Sequence, residues 1–161
     1  MVEIRDIVAA DVVGAVALNN AAVPAVNPHD EGSFAELLEM SDRSWVVDHD
    51  RGVGGLLVTF APDASYRSAN YVRLSACYDN FSYVDRIVVA PALWRRGLAA
   101  RLYNTLADHA RKQARTRLLC EVNVEPPNPR SVAFHEATGW QAIEDFQHGP
   151  GRVVRYFEFL L

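Results

Sequence analysis

The sequence has few cysteines, no long apolar run and no excess of positive charge. Only Cys77 and Cys120 occur in 161 residues, and neither has a CxxC or other metal-ligand spacing. This usage fits a reducing cytoplasm better than a disulfide scaffold, so a cytoplasmic location is expected. No apolar run approaches the about 20 residues that cross a bilayer, and early acids argue against a signal peptide, so no membrane partner is expected.

The charge balance argues against a protein that holds nucleic acid on a basic surface. The formal net charge is −4 and the pI is near 5.7, so nucleic acid is not expected as a partner. The histidines show no metal-ligand spacing, and no metal is expected. Half of the residues are hydrophobic and the length suits one domain, so residues 1–161 are predicted to form a single domain.

Hydrophobic periodicity predicts a mixed order of strands and helices, β α α β β β α β α β β. The predicted strands are Val2–Ile7, Ser44–Asp48, Gly54–Phe60, Phe81–Val89, Arg117–Val124, Trp140–Phe146 and Val153–Leu160. The predicted helices are Asp11–Ala22, Phe34–Met40, Arg96–Arg115 and one from the cap Asn128 to about Thr138. Ser33 is the expected cap of the second helix, HDRG is a hairpin turn, and residues 61–80 are predicted as a long loop.

One strand runs directly into a helix through arginines and a glycine. Residues 84–103 read VDRIVVAPALWRRGLAARLY, with Arg95, Arg96 and Gly97 between the two elements. The first helical N–H groups have no partner within a helix, and glycine lets an anion approach the backbone closely. Cations at a helix N-terminus are unfavourable unless an anion neutralises them. The segment therefore predicts a polyphosphate site, although it is neither a P-loop nor a Rossmann motif.

Two segments resemble motifs of the GNAT superfamily of N-acetyltransferases. IVVAPALWRRGLAARLY resembles the pyrophosphate-binding motif Q/R-x-x-G-x-G/A, and NPRSVAFHEATGW resembles the signature N-x-x-A-x-x-x-Y-x-x-x-G-F. Trp94 stands where the family usually has Gln or Arg, and His135 stands where many members have Tyr. The resemblance implies an α/β (α+β) fold of GNAT type. Its central sheet is mixed and mostly antiparallel, with about seven strands, four flanking helices and a splay between the fourth and fifth strands.

The resemblance also implies an activity and a set of donor-site residues. The chain would transfer acetyl from acetyl-CoA to a primary amine by direct attack, releasing CoA. The backbone of Ile87, Val88 and Val89 would pair with the pantetheine arm, and an N–H near Val89 would polarise the thioester carbonyl. The pyrophosphate would lie on Trp94, Arg95, Arg96, Gly97, Leu98 and Ala99. Asn128 would contact the pantetheine arm, and His135 would contact the sulfur and protonate the leaving thiolate.

Two acids compete for the role of general base. Glu121 lies in LLCEVNV, and GNAT enzymes that acetylate protein N-termini use a Glu in a comparable strand, although this chain has two extra residues before Asn128. Asp85 lies on the preceding strand, where other members place an acid. Each also has a structural alternative: Asp85 would pair with Arg86 or be a rim charge, and Glu121 would be a strand-edge carboxylate paired with Arg117 or Arg115.

The acceptor site is the least defined part of the sequence. By the resemblance, residues 19–32 and 61–83 would wall it, with Tyr83 and Asn20 as acceptor-binding residues. Tyr83 is expected to share one strand face with Asp85 and Ile87. The acceptor would be a small-molecule amine or a protein N-terminus, and a homodimer is allowed. The alternatives are a non-catalytic acyl-CoA-binding sensor or interaction module, and an enzyme with a longer acyl donor.

Overall fold

The computed structural model describes residues 1–50 and 52–161. The strands are β1 Val2–Asp6, β2 Ser44–His49, β3 Gly52–Phe60, β4 Phe81–Val89, β5 Arg117–Glu125, β6 Gln141–Gly149 and β7 Arg152–Leu160. They form one sheet in the order β1-β2-β3-β4-β5-β7-β6. Of the adjacent strand pairs in this order, β4 and β5 run parallel and the others run antiparallel. The turn predicted at HDRG includes Arg51, which lies outside the described residues.

In residues 1–50 and 52–161, five α-helices flank this sheet. They are α1 Val12–Ala21, α2 Glu31–Met40, α3 Ala69–Cys77, α4 Leu98–Lys112 and α5 Pro129–Ala137. Short 3-10 turns at Ala9–Asp11 and Pro91–Leu93 precede α1 and α4. Among the helices of the described ranges, none is both long and apolar enough to cross a membrane.

The sheet opens between its two parallel strands. Phe81–Val84 pair with Arg117–Cys120, and both strands continue beyond this point without pairing to each other. β4 remains bound to β3, and β5 remains bound to β7, so each half of the sheet stays intact. The predicted splay between the fourth and fifth strands is therefore confirmed. It leaves a gap, hereafter the cleft, between the carboxyl-terminal halves of β4 and β5.

The two faces of the sheet are covered by different helices. Residues of α1, α2 and α3 pack on one face, against buried side chains such as Leu56 and Tyr83. The leucines of α4 at positions 98, 102 and 106 pack on the other face, where α5 also lies. Their four-residue spacing puts them on one side of the helix, and burying each contributes about 2 kcal/mol. The predicted mixed fold is thus confirmed, with α3 as a fifth helix.

The structure corrects two local predictions. Residues 61–80 are not one long loop, because Ser68 accepts a hydrogen bond from the Tyr71 N–H and starts α3. Tyr71 and Leu74 then bury one side of this helix, although its many polar residues concealed the pattern. The cap of α2 is also not Ser33, whose N–H instead donates to the Asp30 carboxylate at 2.7 Å, so the helix begins three residues earlier than expected.

Candidate active site

A β-bulge in β4 decides which side chains enter the cleft region. Val58 pairs with Arg86 and Thr59 with Val84, so Asp85 is an extra residue without a partner on β3. A bulge shifts the alternation of the strand by one position. Tyr83 therefore belongs to the core layer under α1–α3, whereas Ile87 packs in the layer under α4. The prediction that Tyr83, Asp85 and Ile87 share one face is wrong for this reason.

The free edge of β4 presents backbone groups to the cleft. The Ala90 N–H donates to the Gly54 carbonyl at 2.9 Å, which makes these two residues a hydrogen-bonded pair of the antiparallel β3–β4 ladder. Hydrogen-bonded pairs alternate with non-bonded pairs along such a ladder. Val89 and Ile87 are therefore non-bonded toward β3, and their N–H and C=O groups point toward the cleft. An extended ligand can add to this edge as a strand would.

Glu121 follows Cys120, the last residue of β5 that pairs with β4, and therefore lies at the start of the cleft. The Tyr83 hydroxyl on β4 lies 2.8 and 2.7 Å from its two carboxylate oxygens. Asn70 of α3 also contacts this carboxyl. The Asn70 carbonyl oxygen in turn accepts a hydrogen bond from the Tyr156 hydroxyl at 2.7 Å and lies 2.7 Å from the His148 ring. The carboxyl of this β5 residue is thus held in place by Tyr83 of β4 and by Asn70 of α3.

The environment of Glu121 favours its neutral form. Burial raises the pKa of this carboxyl to about 8, and the nearby charge of Asp85 acts in the same direction. The hydrogen bond from Tyr83 opposes the shift, because it stabilises the ionised form. The residue as a whole is partly exposed and lies at the start of the cleft. A carboxyl with a pKa near 8 is suited to take a proton from an amine.

Asp85 reaches the same region but is occupied by other partners. Its carboxylate accepts a hydrogen bond from the Tyr66 hydroxyl at 2.5 Å and pairs with Arg86 Nε at 2.7 Å. Arg86 is fixed in turn by the Asn19 amide oxygen, 2.8 Å from Nη1. The Asp85 side chain is 5% exposed and the Arg86 side chain is 4% exposed. The structural alternative foreseen for Asp85, a pair with Arg86, is therefore present.

His135 is enclosed in the layer under α4 and α5. It is 2% exposed, and Phe134, Trp140 and Phe157 surround its ring. Nδ1 lies 2.7 Å from the Ser131 carbonyl, which can only accept, so Nδ1 carries a proton. Burial lowers the pKa of the ring. Nε2 is then the unprotonated nitrogen and accepts a hydrogen bond from the Tyr103 hydroxyl at 2.7 Å.

The loop between β4 and α4 offers a row of backbone donors. Arg95 and Gly97 adopt left-handed conformations, with φ of 63° and 70°, and α4 begins at Leu98. Within the described part of the chain, the N–H groups of residues 95–100 have no hydrogen-bond acceptor. The side chains of Arg95 and Arg96 are exposed. This loop fits an anion, and Gly97 can adopt its φ without the strain that a side chain would add.

Two further predicted residues have structural partners at the edges of the site. Asn128 caps α5 by accepting the Ser131 N–H at 3.4 Å. The Asn20 amide binds both the N–H and the carbonyl of His29, at 2.9 and 2.8 Å, and so braces the loop between α1 and α2. The Asn123 amide donates to the Pro24 carbonyl at 3.3 Å, which ties the same loop to β5. This loop forms one wall near the cleft.

Sequence reasoning missed several residues that organise this site. Asn70 contacts Glu121, Asn19 fixes Arg86, and Tyr103 binds His135. Asn70 was hidden because its helix was predicted as a loop. For Asn19 and Tyr103 the only signal was a polar group at a helical position that faces the core, and the sequence does not show which partner lies opposite.

The comparisons with known proteins agree with this geometry. Residues 18–140, well over half of the chain, match the family model described as the acetyltransferase (GNAT) family. No curated protein sequence matches the chain significantly. Among solved structures, Ard1 from Thermoplasma volcanium is 12% identical with a TM-score of 0.79, over 99% of this chain and 97% of that one.

Two further structural neighbours are enzymes named for their acceptors. The ribosomal-protein-alanine N-acetyltransferase from Brucella melitensis is 18% identical with a TM-score of 0.75, over 99% of each chain. The phosphinothricin acetyltransferase from Sinorhizobium meliloti, solved with AcCoA, is 19% identical with a TM-score of 0.74, over 99% of this chain and 88% of that one. At these identities the likeness shows the fold, and the family model shows the membership: the chain belongs to the acetyltransferase (GNAT) family.

Proposed function

We propose that this protein transfers acetyl from acetyl-CoA to a primary amine, with Glu121 as the general base. The observation that carries this proposal is the position of Glu121. Its carboxyl lies at the start of the cleft, is bound by Tyr83 and has a pKa raised to about 8. A buried carboxyl without a role would be a cost to stability, and such groups concentrate at active sites.

The donor side of the cleft supports acetyl-CoA as the acyl donor. The free edge of β4 at Ile87 and Val89 offers N–H and C=O groups to the two amides of a pantetheine arm, with Val88 between them. The loop from Trp94 to Ala99 offers N–H groups and two arginines to the pyrophosphate. Acetyl-CoA supplies an activated thioester, and this chain supplies the binding and orientation. One neighbour of the same fold is described with AcCoA.

The reaction requires a proton to leave the amine as it attacks. Glu121 accepts that proton in its ionised form, and Tyr83 and Asn70 hold the carboxyl in place. On the same free edge, the Ile87 N–H lies closer along β4 to Glu121 than the Val89 N–H does, and it is available to stabilise the oxyanion that develops on the thioester carbonyl. Asp85 is not the base in this proposal, because its two carboxylate oxygens are already paired with Tyr66 and Arg86. Its negative charge instead helps to raise the pKa of Glu121.

The thiolate leaves as CoA, and the sequence assigns His135 as its proton donor. His135 has both ring nitrogens bonded inside the protein, to Ser131 and to the Tyr103 hydroxyl. In this tautomer Nε2 has no proton to give. The role of His135 as proton donor to sulfur therefore stays a prediction, and the structure supports it less than it supports the role of Glu121.

The acceptor class proposed is an amine on a small molecule or at a protein N-terminus. Neighbours of this fold are described with one acceptor of each kind, phosphinothricin and the alanine of a ribosomal protein. In this chain the loop braced by Asn20 would form the acceptor wall, whereas Tyr83, predicted to bind the acceptor, is fully buried and acts through its hydrogen bond to Glu121. A catalytic role is favoured over a non-catalytic acyl-CoA sensor because a sensor would not need the raised pKa of Glu121.

The test combines donor binding with turnover. Calorimetry with acetyl-CoA measures donor affinity, and desulfo-CoA serves as a donor analogue that cannot react. Thiol release is then followed with a panel of amino acids, polyamines and short peptides. We expect binding that Arg95→Gln with Arg96→Gln weakens about tenfold or more, and turnover with at least one amine. Absence of binding at millimolar acetyl-CoA would refute the proposal, and binding without turnover would favour the sensor.

A further inference from the structure

The Trp94 side chain is hydrogen-bonded to a backbone carbonyl that faces the cleft. Its indole N–H donates to the Val89 carbonyl at 2.7 Å, and that carbonyl is one of those that point away from β3 and into the cleft. The indole therefore binds the free edge of β4 at the point where an added strand would bind. Trp94 is also 45% exposed, unlike Trp45 and Trp140, which are 4% and 5% exposed.

Arg130 completes a bridge across the mouth of the cleft. Its guanidinium carbon lies 3.5 Å from the centre of the Trp94 ring, a close cation–π contact. Trp94 follows β4, whereas Arg130 belongs to the first turn of α5, which follows β5. The pair thus joins the two strands that the splay separates. No other contact of this kind joins the loop before α4 to α5 in the described ranges.

The charge of Arg130 has no carboxylate to balance it. Within the described ranges, neither Arg130 nor Arg95 nor Arg96 has an acidic group within 4.0 Å. The first turns of α4 and α5 contain no acid either. Three uncompensated cations therefore surround the loop of free N–H groups in a chain whose formal net charge is −4. Such an arrangement complements a ligand with several phosphates.

We propose that Arg130 is a further donor-binding residue, held against Trp94 until the pantetheine arm replaces the indole at the Val89 carbonyl. The Val89 carbonyl cannot accept a hydrogen bond from the indole N–H and another from an amide N–H of the pantetheine arm along the same direction. The two donors therefore compete for it. When the indole leaves, the guanidinium loses its stacking partner and turns to the donor's phosphates. Trp94 therefore opposes donor binding, and Arg130 favours it. The inference rests on the proposed function, because it requires the donor to lie along β4.

Two substitutions separate these opposite effects. Trp94→Phe keeps a ring for Arg130 but cannot donate to the Val89 carbonyl. We expect it to tighten binding of CoA and of pantetheine by about two- to tenfold, the scale of one neutral hydrogen bond. Arg130→Gln is expected to weaken CoA about tenfold and to leave pantetheine, which has no phosphate, unchanged. Arg111→Gln, at the opposite end of α4, is the charge-matched control.

The measurements are calorimetric Kd values and tryptophan emission during titration with CoA. A change of emission that Trp94→Phe abolishes is expected, because the other two tryptophans are buried. The inference is overturned if Trp94→Phe leaves the affinity unchanged or weakens it. It is equally overturned if Arg130→Gln behaves as Arg111→Gln does. Failure of the wild-type protein to bind CoA at all would instead refute the proposed function.

Discussion

The hydroxyl of Tyr83 lies within hydrogen-bond distance of both carboxylate oxygens of Glu121, at 2.8 and 2.7 Å. The two residues sit on parallel neighbouring strands, beside the last paired residues Val84 and Cys120. Just beyond them the strands part, so this pair closes the inner end of the cleft. Under the proposed function, the Glu121 carboxyl would accept a proton beside the acyl end of a donor extended along β4.

The first prediction concerns the base. Glu121→Gln keeps the shape and the hydrogen-bonding capacity of the side chain but cannot take a proton. We expect kcat to fall about 10²- to 10⁴-fold, the usual contribution of a general base, with the Kd for acetyl-CoA unchanged. Glu3→Gln removes an exposed carboxyl on β1 and should have no effect. A kcat within threefold of wild type would show that water or another group is the base.

The second prediction is a pH profile. The base works in its ionised form, and burial raises the pKa of Glu121 to about 8, so kcat should rise with pH and level off above about 8. Tyr83→Phe removes a hydrogen bond that lowers this pKa. The rise should therefore move to higher pH in that variant. Initial rates measured from pH 6 to 10 test this, and a shift to lower pH would contradict it.

The third prediction links the same group to stability. Glu121 has an ordinary pKa of 4.5 when unfolded and about 8 when folded. Between these values the unfolded chain loses the proton while the folded chain keeps it, so the free energy of unfolding contributed by this group falls as pH rises. Glu121→Gln should therefore be more stable than wild type at pH 8.5 but not at pH 4. Urea denaturation at both pH values measures the difference, and equal differences at the two would contradict it.

The fourth prediction concerns His135. His135→Phe leaves the buried Tyr103 hydroxyl without its acceptor, which should cost about 1–3 kcal/mol of stability. Removing that hydroxyl as well, in Tyr103→Phe with His135→Phe, should restore part of the loss. We expect kcat of the folded single variant to change less than tenfold. A loss of about 10²-fold or more with unchanged Kd for acetyl-CoA would instead support the general-acid role.

The sequence predicted the elements that carry strong periodicity or a local signal. The apolar strands and the leucine spacing of α4 were readable because each depends on neighbours within a few residues. Asn128 was readable as a cap of α5, and Gly97 as the glycine of the loop that leads into α4, for the same reason. α3 was missed because its polar residues face partners on other elements, and Asn70 is the clearest case.

Local chemistry in the sequence thus determined the order of the strands and of four helices, the glycine-containing loop before α4 and the resemblance to the family. Tertiary structure decided the rest, because the remaining features depend on what lies opposite in space. The bulge at Asp85 changed which residues share a face of β4, and the splay brought Glu121 to the cleft. Packing under α4 enclosed His135, and the gap between two strands let Trp94 meet Arg130. Contacts between residues distant along the chain leave no periodic trace in it.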